Sequence, residues 1–315
     1  MITEASDLAA DATKPARVSK HRRDPASRGE RIWAFNFLAP FIVGIAVFYY
    51  IAIVASSYFS FTRYNLLKPP TWLGLDNYRF LIGNELFRKA LWNTAKLTLV
   101  GVPVTIVLVV GLGVALNSRI RFQGVYRLIF FLPLVTMPVA SAIVWRWMYS
   151  PETGLFDQLL GPFGVDRVEW LSRPGSALWA VLAMEVWRQS GLFLLIVLAG
   201  LQNIPEVYYE AATVDGATAW QRFRHVTLPL LSPSLFFLAV TGSIAAFQTF
   251  DAVIVLTPGG GPLNSTRTVV FDIYGSAFES LRMGRAAAAS MLLLAVILVV
   301  TAVQFRMQKR WVHYE

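Results

Sequence analysis

The chain has 315 residues, of which 56 % are hydrophobic and only 15 % charged, with a formal charge of +9 and no cysteine. A soluble domain carries about a quarter charged residues, so this composition, with a mean hydropathy of +0.53, is that of a multi-pass membrane protein. The cysteine count excludes disulfides, thiol catalysis and thiolate metal sites. The three histidines, His21, His225 and His313, all fall outside the apolar segments, which leaves no His pair for metal binding or acid–base chemistry within a bilayer.

In chain order, residues 1–30 are polar and include Lys14, Arg17, Lys20, Arg22, Arg23 and Arg28. They read as a disordered cytoplasmic tail. The apolar run behind them, from Trp33 to about Phe59, is too long for a signal-peptide core and suits a spanning helix. Residues 31–315 then form a single membrane domain. Six apolar segments reach the roughly 20 residues needed per crossing: 33–59, 92–117, 127–149, 176–203, 230–256 and 286–307.

Flanking charge sets the orientation. The tail, Arg119, Arg121 and Arg127, then Arg222 and Arg224, then Arg306, Lys309 and Arg310 fall on one side. On the other side, in loops 60–91, 150–175 and 257–285, bases are diluted by Asp76, Glu85, Glu152, Asp157, Asp166, Glu169, Asp272 and Glu279. The positive-inside rule then places both termini and the stretch 206–228 in the cytoplasm. It also explains the net charge without nucleic acid. Trp33, Trp92, Trp145, Trp147, Trp179 and Trp311 sit near segment ends as interfacial anchors. Trp187 lies well inside the fourth segment. Pro103, Pro133 and Pro138 fall within the second and third segments and mark either plain kinks or irregular helices around a central path.

Charge within an apolar segment is costly and marks candidate function. Lys96, Arg146, Asp251 and Arg285 are close enough to segment ends to snorkel. Glu185 and Arg188 lie deeper, at i and i+3 on one helix face. They either pair with each other to lock the fourth helix or form a polar patch on the translocation path with Gln189 and Ser190.

The stretch Glu206 to Pro229 is too polar for lipid. Its acids (Glu206, Glu210, Asp215) precede its bases (Arg222, Arg224, His225), an order that suits short surface helices. Gly216 is a natural helix stop, and Ala211 and Ala212 would let a partner approach the backbone closely. An ordinary connecting loop would also carry charge. Further on, Thr257-Pro258-Gly259-Gly260-Gly261-Pro262 requires a tight turn that cannot extend the fifth helix. No G-x-x-x-x-G-K-[ST] occurs, so the chain has no phosphate-cradling loop of its own.

Glu210-Ala211-Ala212, then Gly216, then Leu228-Pro229 resembles the "EAA" signature of permease subunits of binding-protein-dependent ABC importers. Leu38-Ala39-Pro40, Leu75-Asp76-Asn77-Tyr78, Phe247–Phe250, the Gly-Gly-Pro turn, Thr266–Thr268 and the small-residue run Arg285–Ser290 follow the order seen in permeases of the maltose and glycerol-3-phosphate type. The likeness runs from about residue 30 to the end.

The resemblance implies an all-α polytopic fold of the type I importer permeases, six transmembrane helices with a cytoplasmic coupling helix, in a bacterial inner membrane. It makes Glu206, Glu210, Ala211, Ala212, Asp215, Gly216, Leu228 and Pro229 the surface that docks on an ATPase subunit. It points to a substrate path at Glu185, Arg188, Gln189, Gly242, Ala246, Gln248 and Thr249. Where maltose-type permeases use Asn and small or apolar residues, this chain has the charged Glu185/Arg188 pair, so position carries over and ligand chemistry does not.

The implied partners are a second homologous permease, two copies of an ATPase subunit holding ATP and Mg, an extracytoplasmic solute-binding protein, and membrane lipid. The implied task is import of a sugar, oligosaccharide or glycerol-3-phosphate-like polyol by alternating access. The chain itself would be no enzyme and hold no cofactor, catalytic residue or metal. The competing reading is an ion-coupled secondary transporter or channel, which needs intramembrane carboxylates. Glu185 alone is thin support, and that reading leaves the polar stretch without a role. An intramembrane enzyme is opposed by the absence of H-E-x-x-H and G-x-S-x-G.

Overall fold

The computed structural model describes residues 28–118, 121–151, 153–164 and 167–311. Residues 1–27 of the expected tail, with Arg119, Glu152, Asp166, His21 and His313, lie outside the described residues. Contacts divide the chain after Val54 into two units.

The first unit holds helix α1, Arg28–Ile45, and a π-helical turn, Ala46–Tyr50. Helix α1 thus begins within the stretch assigned to the tail. Phe37, Phe41, Phe48, Tyr49 and Tyr50 are exposed along this unit, an apolar surface that suits lipid. The same helical run continues as α2, Ile51–Ser60.

The second unit opens with a short antiparallel hairpin, β1 Thr62–Arg63 and β2 Thr71–Trp72. Helix α3, Asp76–Gly83, follows, and Asn77 donates from Nδ2 to the carbonyls of Ser60 (2.9 Å) and Thr62 (2.8 Å). Helix α4, Glu85–Asn117, starts earlier than the apolar pattern predicts. The Asn84 side chain sets that start by accepting from the Leu86 and Phe87 amides, an N-cap that satisfies two otherwise unpaired donors.

The third apolar segment is not one straight helix. Helix α5, Gln123–Val135, and helix α6, Pro138–Met148, meet at 108°. Met137 precedes Pro138 and is extended (φ −62°, ψ 134°), because the proline ring disfavours helical backbone in the residue before it. Thr136 Oγ1 donates to the Pro133 carbonyl (3.0 Å) and accepts from Ser141 (2.8 Å). Side-chain hydroxyls thus serve polar groups at the break, as an apolar setting demands. Pro133 and Pro138 therefore frame a sharp break between two helices. Pro103 lies within the continuous α4.

After the short helix α7, Leu155–Leu160, comes the central helix α8, Ala177–Gln202. Helix α9, Glu206–Val214, and helix α10, Ala219–Arg222, follow. A π turn, Phe223–Thr227, leads from α10 into helix α11, Leu228–Phe247. The sequence predicts a fifth span over 230–256. The helical run instead covers Ala219–Phe247, stops at Gln248, and resumes as helix α12, Asp251–Leu256. The Gly-Gly-Pro stretch is two tight 3₁₀ turns, Pro258–Gly260 and Pro262–Asn264. Helix α13, Val269–Tyr274, and helix α14, Met283–Trp311, complete the chain. Among the described residues five helices are long and apolar enough to cross a membrane, or six crossings if the bent α5–α6 pair counts as one.

Helix α8 is the hub and packs on α4, α5, α11 and α12. One core layer joins Leu97, Val181, Met184, Val253 and Leu256. A second joins Val109, Phe193, Val197, Leu201, Leu231 and Leu238. Small residues let the helices close up. A Cβ on Gly113 would lie 2.6 Å from Val197 Cγ1, and one on Gly200 would lie 2.6 Å from Leu231 Cδ1. A third layer, with Leu81, Phe87, Val269, Ala288, Ala289 and Leu293, seats the small-residue start of α14.

Candidate coupling surface and substrate path

Pro205 is extended and starts α9, with Glu206 in the first turn, where an acid suits the helix dipole. At the other end, Gly216 N donates to the Thr213 carbonyl (3.0 Å) and Ala217 N to the Ala212 carbonyl (2.9 Å), the paired bonds of a Schellman cap. Gly216 has φ +75°, which only glycine adopts without strain. Asp215 is the C-cap residue before it. Thr218 and Gln221 then form a reciprocal capping box that starts α10.

Two side-chain bonds tie α9 to the entry of α11. Arg222 Nη1 donates to Thr213 Oγ1 (3.0 Å), and the Tyr209 and Thr227 hydroxyls lie 3.0 Å apart. What remains outward is Glu206, Glu210 and Ala211 with Val207, Tyr208, Val214 and Trp220, while Ala212 is half-buried. Neither Glu206 nor Glu210 has an ion-pair partner among the described residues. Val214 is 88 % exposed at the tip of an otherwise well-bonded element.

The sequence predicts the whole stretch 206–228 as a surface loop of short helices. Only α9 and its cap have that form. From Ala219 onward the chain is already the helical run of the next span, so Leu228 and Pro229 stand in the first turn of α11. The π turn Phe223–Thr227 precedes Pro229 directly and varies the local hydrogen-bond pattern where the ring removes a donor.

The predicted path residues separate into three groups. Glu185, Gln189, Ala246 and Thr249 line one small cleft between α4, α8 and the end of α11. Glu185 is buried, and its Oε2 accepts from Arg188 Nη2 (2.7 Å), Arg188 Nε (3.2 Å) and Gln189 Nε2 (3.5 Å). Gln189 Oε1 is buried with no hydrogen-bond partner among the described residues, an acceptor open to a water molecule. Arg188 holds the carboxylate and is not itself among the lining residues.

Gly242 and Gln248 stand elsewhere. A Cβ on Gly242 would lie 2.9 Å from the Phe193 ring, so Gly242 packs closely on α8 and is not among the cleft's lining residues. Gln248 is exposed just past the end of α11. The sequence reading missed the wall from α4, Gly101 and Thr105, where Thr105 Oγ1 donates to the Gly101 carbonyl (2.8 Å). A Gly-x-x-x-Thr pair in an apolar helix was the available signal.

The chain break after α11 is held from outside. Thr268 Oγ1 donates to the Thr249 carbonyl (2.9 Å) and Thr94 Oγ1 accepts from Val269 N (3.0 Å). Arg267 and Asp272 form a largely buried ion pair at 2.5 Å, a pairing that no local pattern singles out. The expected snorkelling residues behave variously. Lys96 lies over the Trp92 ring at 5.4 Å, Arg285 over Phe80 at 3.8 Å, and Arg146 donates to the Val255 carbonyl (3.3 Å). Asp251 is exposed in the first turn of α12. Trp187 packs on Trp145 at 5.6 Å, which accounts for a tryptophan away from the interface. Among the described residues no group of three or more His, Cys, Asp or Glu could hold a metal.

The chain is thus a helical membrane bundle with an outward helix–glycine–helix element and, at its hub, a small cleft that holds Glu185 and Gln189. Residues 107–313 match the family described as binding-protein-dependent transport system inner membrane component, and the chain belongs to that family, the permeases of ABC importers. A probable ABC transporter permease protein of Bacillus subtilis, YesP, is 37 % identical over 97 % of both chains. The sulfoquinovosyl glycerol transport system permease protein SmoG of Agrobacterium fabrum is 33 % identical, over 88 % of this chain and 91 % of that one. A solved bacterial ABC transporter involved in import of the acidic polysaccharide alginate superposes with a TM-score of 0.77 at 26 % identity, covering 89 % of this chain and 96 % of that chain. The protein is therefore a multi-pass inner-membrane permease subunit.

Proposed function

We propose that this permease carries a carbohydrate or sugar-like solute inward by alternating access, driven by ATP hydrolysis on a separate ATPase subunit that docks on α9. The observation that carries the reading is the α9–Gly216–α10 element. The Gly216 junction is closed by a Schellman cap and a capping box, the acids Glu206 and Glu210 have no ion-pair partner among the described residues, and the apolar residues Val207, Val214 and Trp220 are exposed. A rigid element of this kind passes a partner's movement to α11, with which α10 is continuous.

The solute class rests on relatives whose names specify sulfoquinovosyl glycerol, arabinooligosaccharides and sn-glycerol-3-phosphate. The cleft at Glu185, Gln189, Thr249 and Thr105 holds only about 10 Å³ here, and in an alternating-access cycle it would widen to present these groups to solute hydroxyls. A solved relative was captured with an alginate pentasaccharide-bound periplasmic protein, which supports delivery by a solute-binding protein. A second homologous permease would complete the path, and ATP and Mg would reside on the two ATPase copies. Both termini and α9 would face the cytoplasm.

The test is uptake into proteoliposomes holding the permease pair, ATPase and binding protein, with labelled oligosaccharide and labelled glycerol 3-phosphate as separate arms. ATP-dependent accumulation of either solute is expected. Uptake that follows an ion gradient and ignores ATP would replace the reading with a secondary transporter.

A further inference from the structure

A cavity of about 680 Å³ opens where the hairpin, α3 and the start of α14 meet. Three guanidiniums line it, Arg63, Arg282 and Arg285, against one carboxylate, Asp76. Asp76 is engaged by Arg79 at 3.5 Å. None of the three lining arginines has an ion-pair partner among the described residues, and Arg282 and Arg63 are the charges that bear on Arg285. Three like charges share one cavity with a single carboxylate that is already engaged, an arrangement that favours an anion.

The convergence is built into the backbone. A Cβ on Gly284 would lie 2.0 Å from the Thr62 carbonyl oxygen, and Gly284 N donates to the Tyr64 carbonyl (3.2 Å). Glycine at 284 therefore lets β1 lie against the first turn of α14, which brings Arg63 towards Arg285. Arg282 N donates to the Ser276 carbonyl (2.7 Å) next to Leu281, whose φ is +51°. Arg285 is further held over the Phe80 ring at 3.8 Å.

The surroundings identify the anion. Arg285 is in the first turn of the span Met283–Lys309, and the ends of a span are where headgroups are met. The cavity also has exposed apolar residues in its lining: Leu67 is 79 % exposed, with Phe80 and Leu281 also exposed. A purely aqueous anion site gains nothing from exposed leucines, whereas a phospholipid presents a phosphate and acyl methylenes together. We propose that this cavity binds the phosphate of an anionic phospholipid headgroup, with Arg63, Arg282 and Arg285 as its cationic contacts.

Native mass spectrometry of the full-length chain in mild detergent, titrated with phosphatidylglycerol or phosphatidylcholine, tests this. The wild type is expected to retain phosphatidylglycerol preferentially. Arg63→Gln and Arg282→Gln, both exposed, should each weaken that preference on the order of fivefold, and the double variant should remove most of it. Arg285→Lys, which keeps the charge, should retain more of the preference than Arg285→Gln. Undiminished preference in the double variant overturns the proposal. Displacement of the retained lipid by inorganic phosphate or glycerol 1-phosphate overturns it in favour of a soluble-anion site. Loss of affinity for the cognate solute-binding protein in the same variants, with lipid retention unchanged, overturns it in favour of a protein-docking site.

Discussion

Glu185 Oε2 and Arg188 Nη2 lie 2.7 Å apart on one face of α8, so the central helix carries its charges as a closed pair. The carboxylate side chain is 10 % exposed and the guanidinium 30 %. The pair is structural in geometry, yet its carboxylate lines the cleft. Glu185→Ala should strand the arginine within the span and destabilise by about 3 kcal/mol, because an unpaired charge is left behind. Glu185→Gln with Arg188→Met should assemble and hydrolyse ATP yet lose uptake. Thermal midpoint, ATPase rate and uptake, measured for both singles and the double, separate the roles. Near-normal uptake by the double would make the pair purely structural and leave Thr105, Gln189 and Thr249 as the path.

Gly216→Val should be far worse than Gly216→Asn. At φ +75° a β-branched residue is strained by roughly 1–3 kcal/mol, whereas Asn tolerates the left-handed region. The expected outcome is a chain that inserts normally but fails to retain the ATPase on co-purification. Glu210→Ala removes an exposed carboxylate and should lower transport-coupled hydrolysis without changing the thermal midpoint. Full coupling in both variants would remove α9 as the docking element.

Gly284→Ala drives a carbon into the Thr62 carbonyl oxygen, a backbone atom that cannot yield as a flexible side chain would. Overpacking of this kind costs about 1–3 kcal/mol. The hairpin should detach from α14, and limited proteolysis should cut within residues 62–72 faster than in the wild type. Unchanged cleavage there would show that β1 has room to move.

Cysteines at Ala219 and Leu263 test the orientation, since the chain has none of its own. Both positions are exposed, one beside the α9 cap and one in the Gly-Gly-Pro turn. An impermeant thiol reagent should reach Leu263→Cys from outside intact spheroplasts and Ala219→Cys only after lysis. Labelling of both from one side would invert the positive-inside assignment.

The sequence alone determined the features that rest on local physics. Apolar segments marked α4, α8 and α14 as spans because length and hydropathy decide insertion. Acid-first order and Gly216 marked short surface helices around α9, because capping is settled within a few residues. Tertiary structure decided what depends on distant partners. Pro133 and Pro138 signalled irregularity, but the 108° turn is set by how α5 packs on α8 and α6 on α12. Thr249 was one polar residue among several until the break after Phe247 placed it beside Glu185 and Gln189, while the similar Gln248 stayed exposed. Arg63 and Arg282 are more than two hundred residues apart in the chain and read as ordinary loop bases. They line one cavity because Gly284 admits the Thr62 carbonyl, a packing relation that no local pattern encodes.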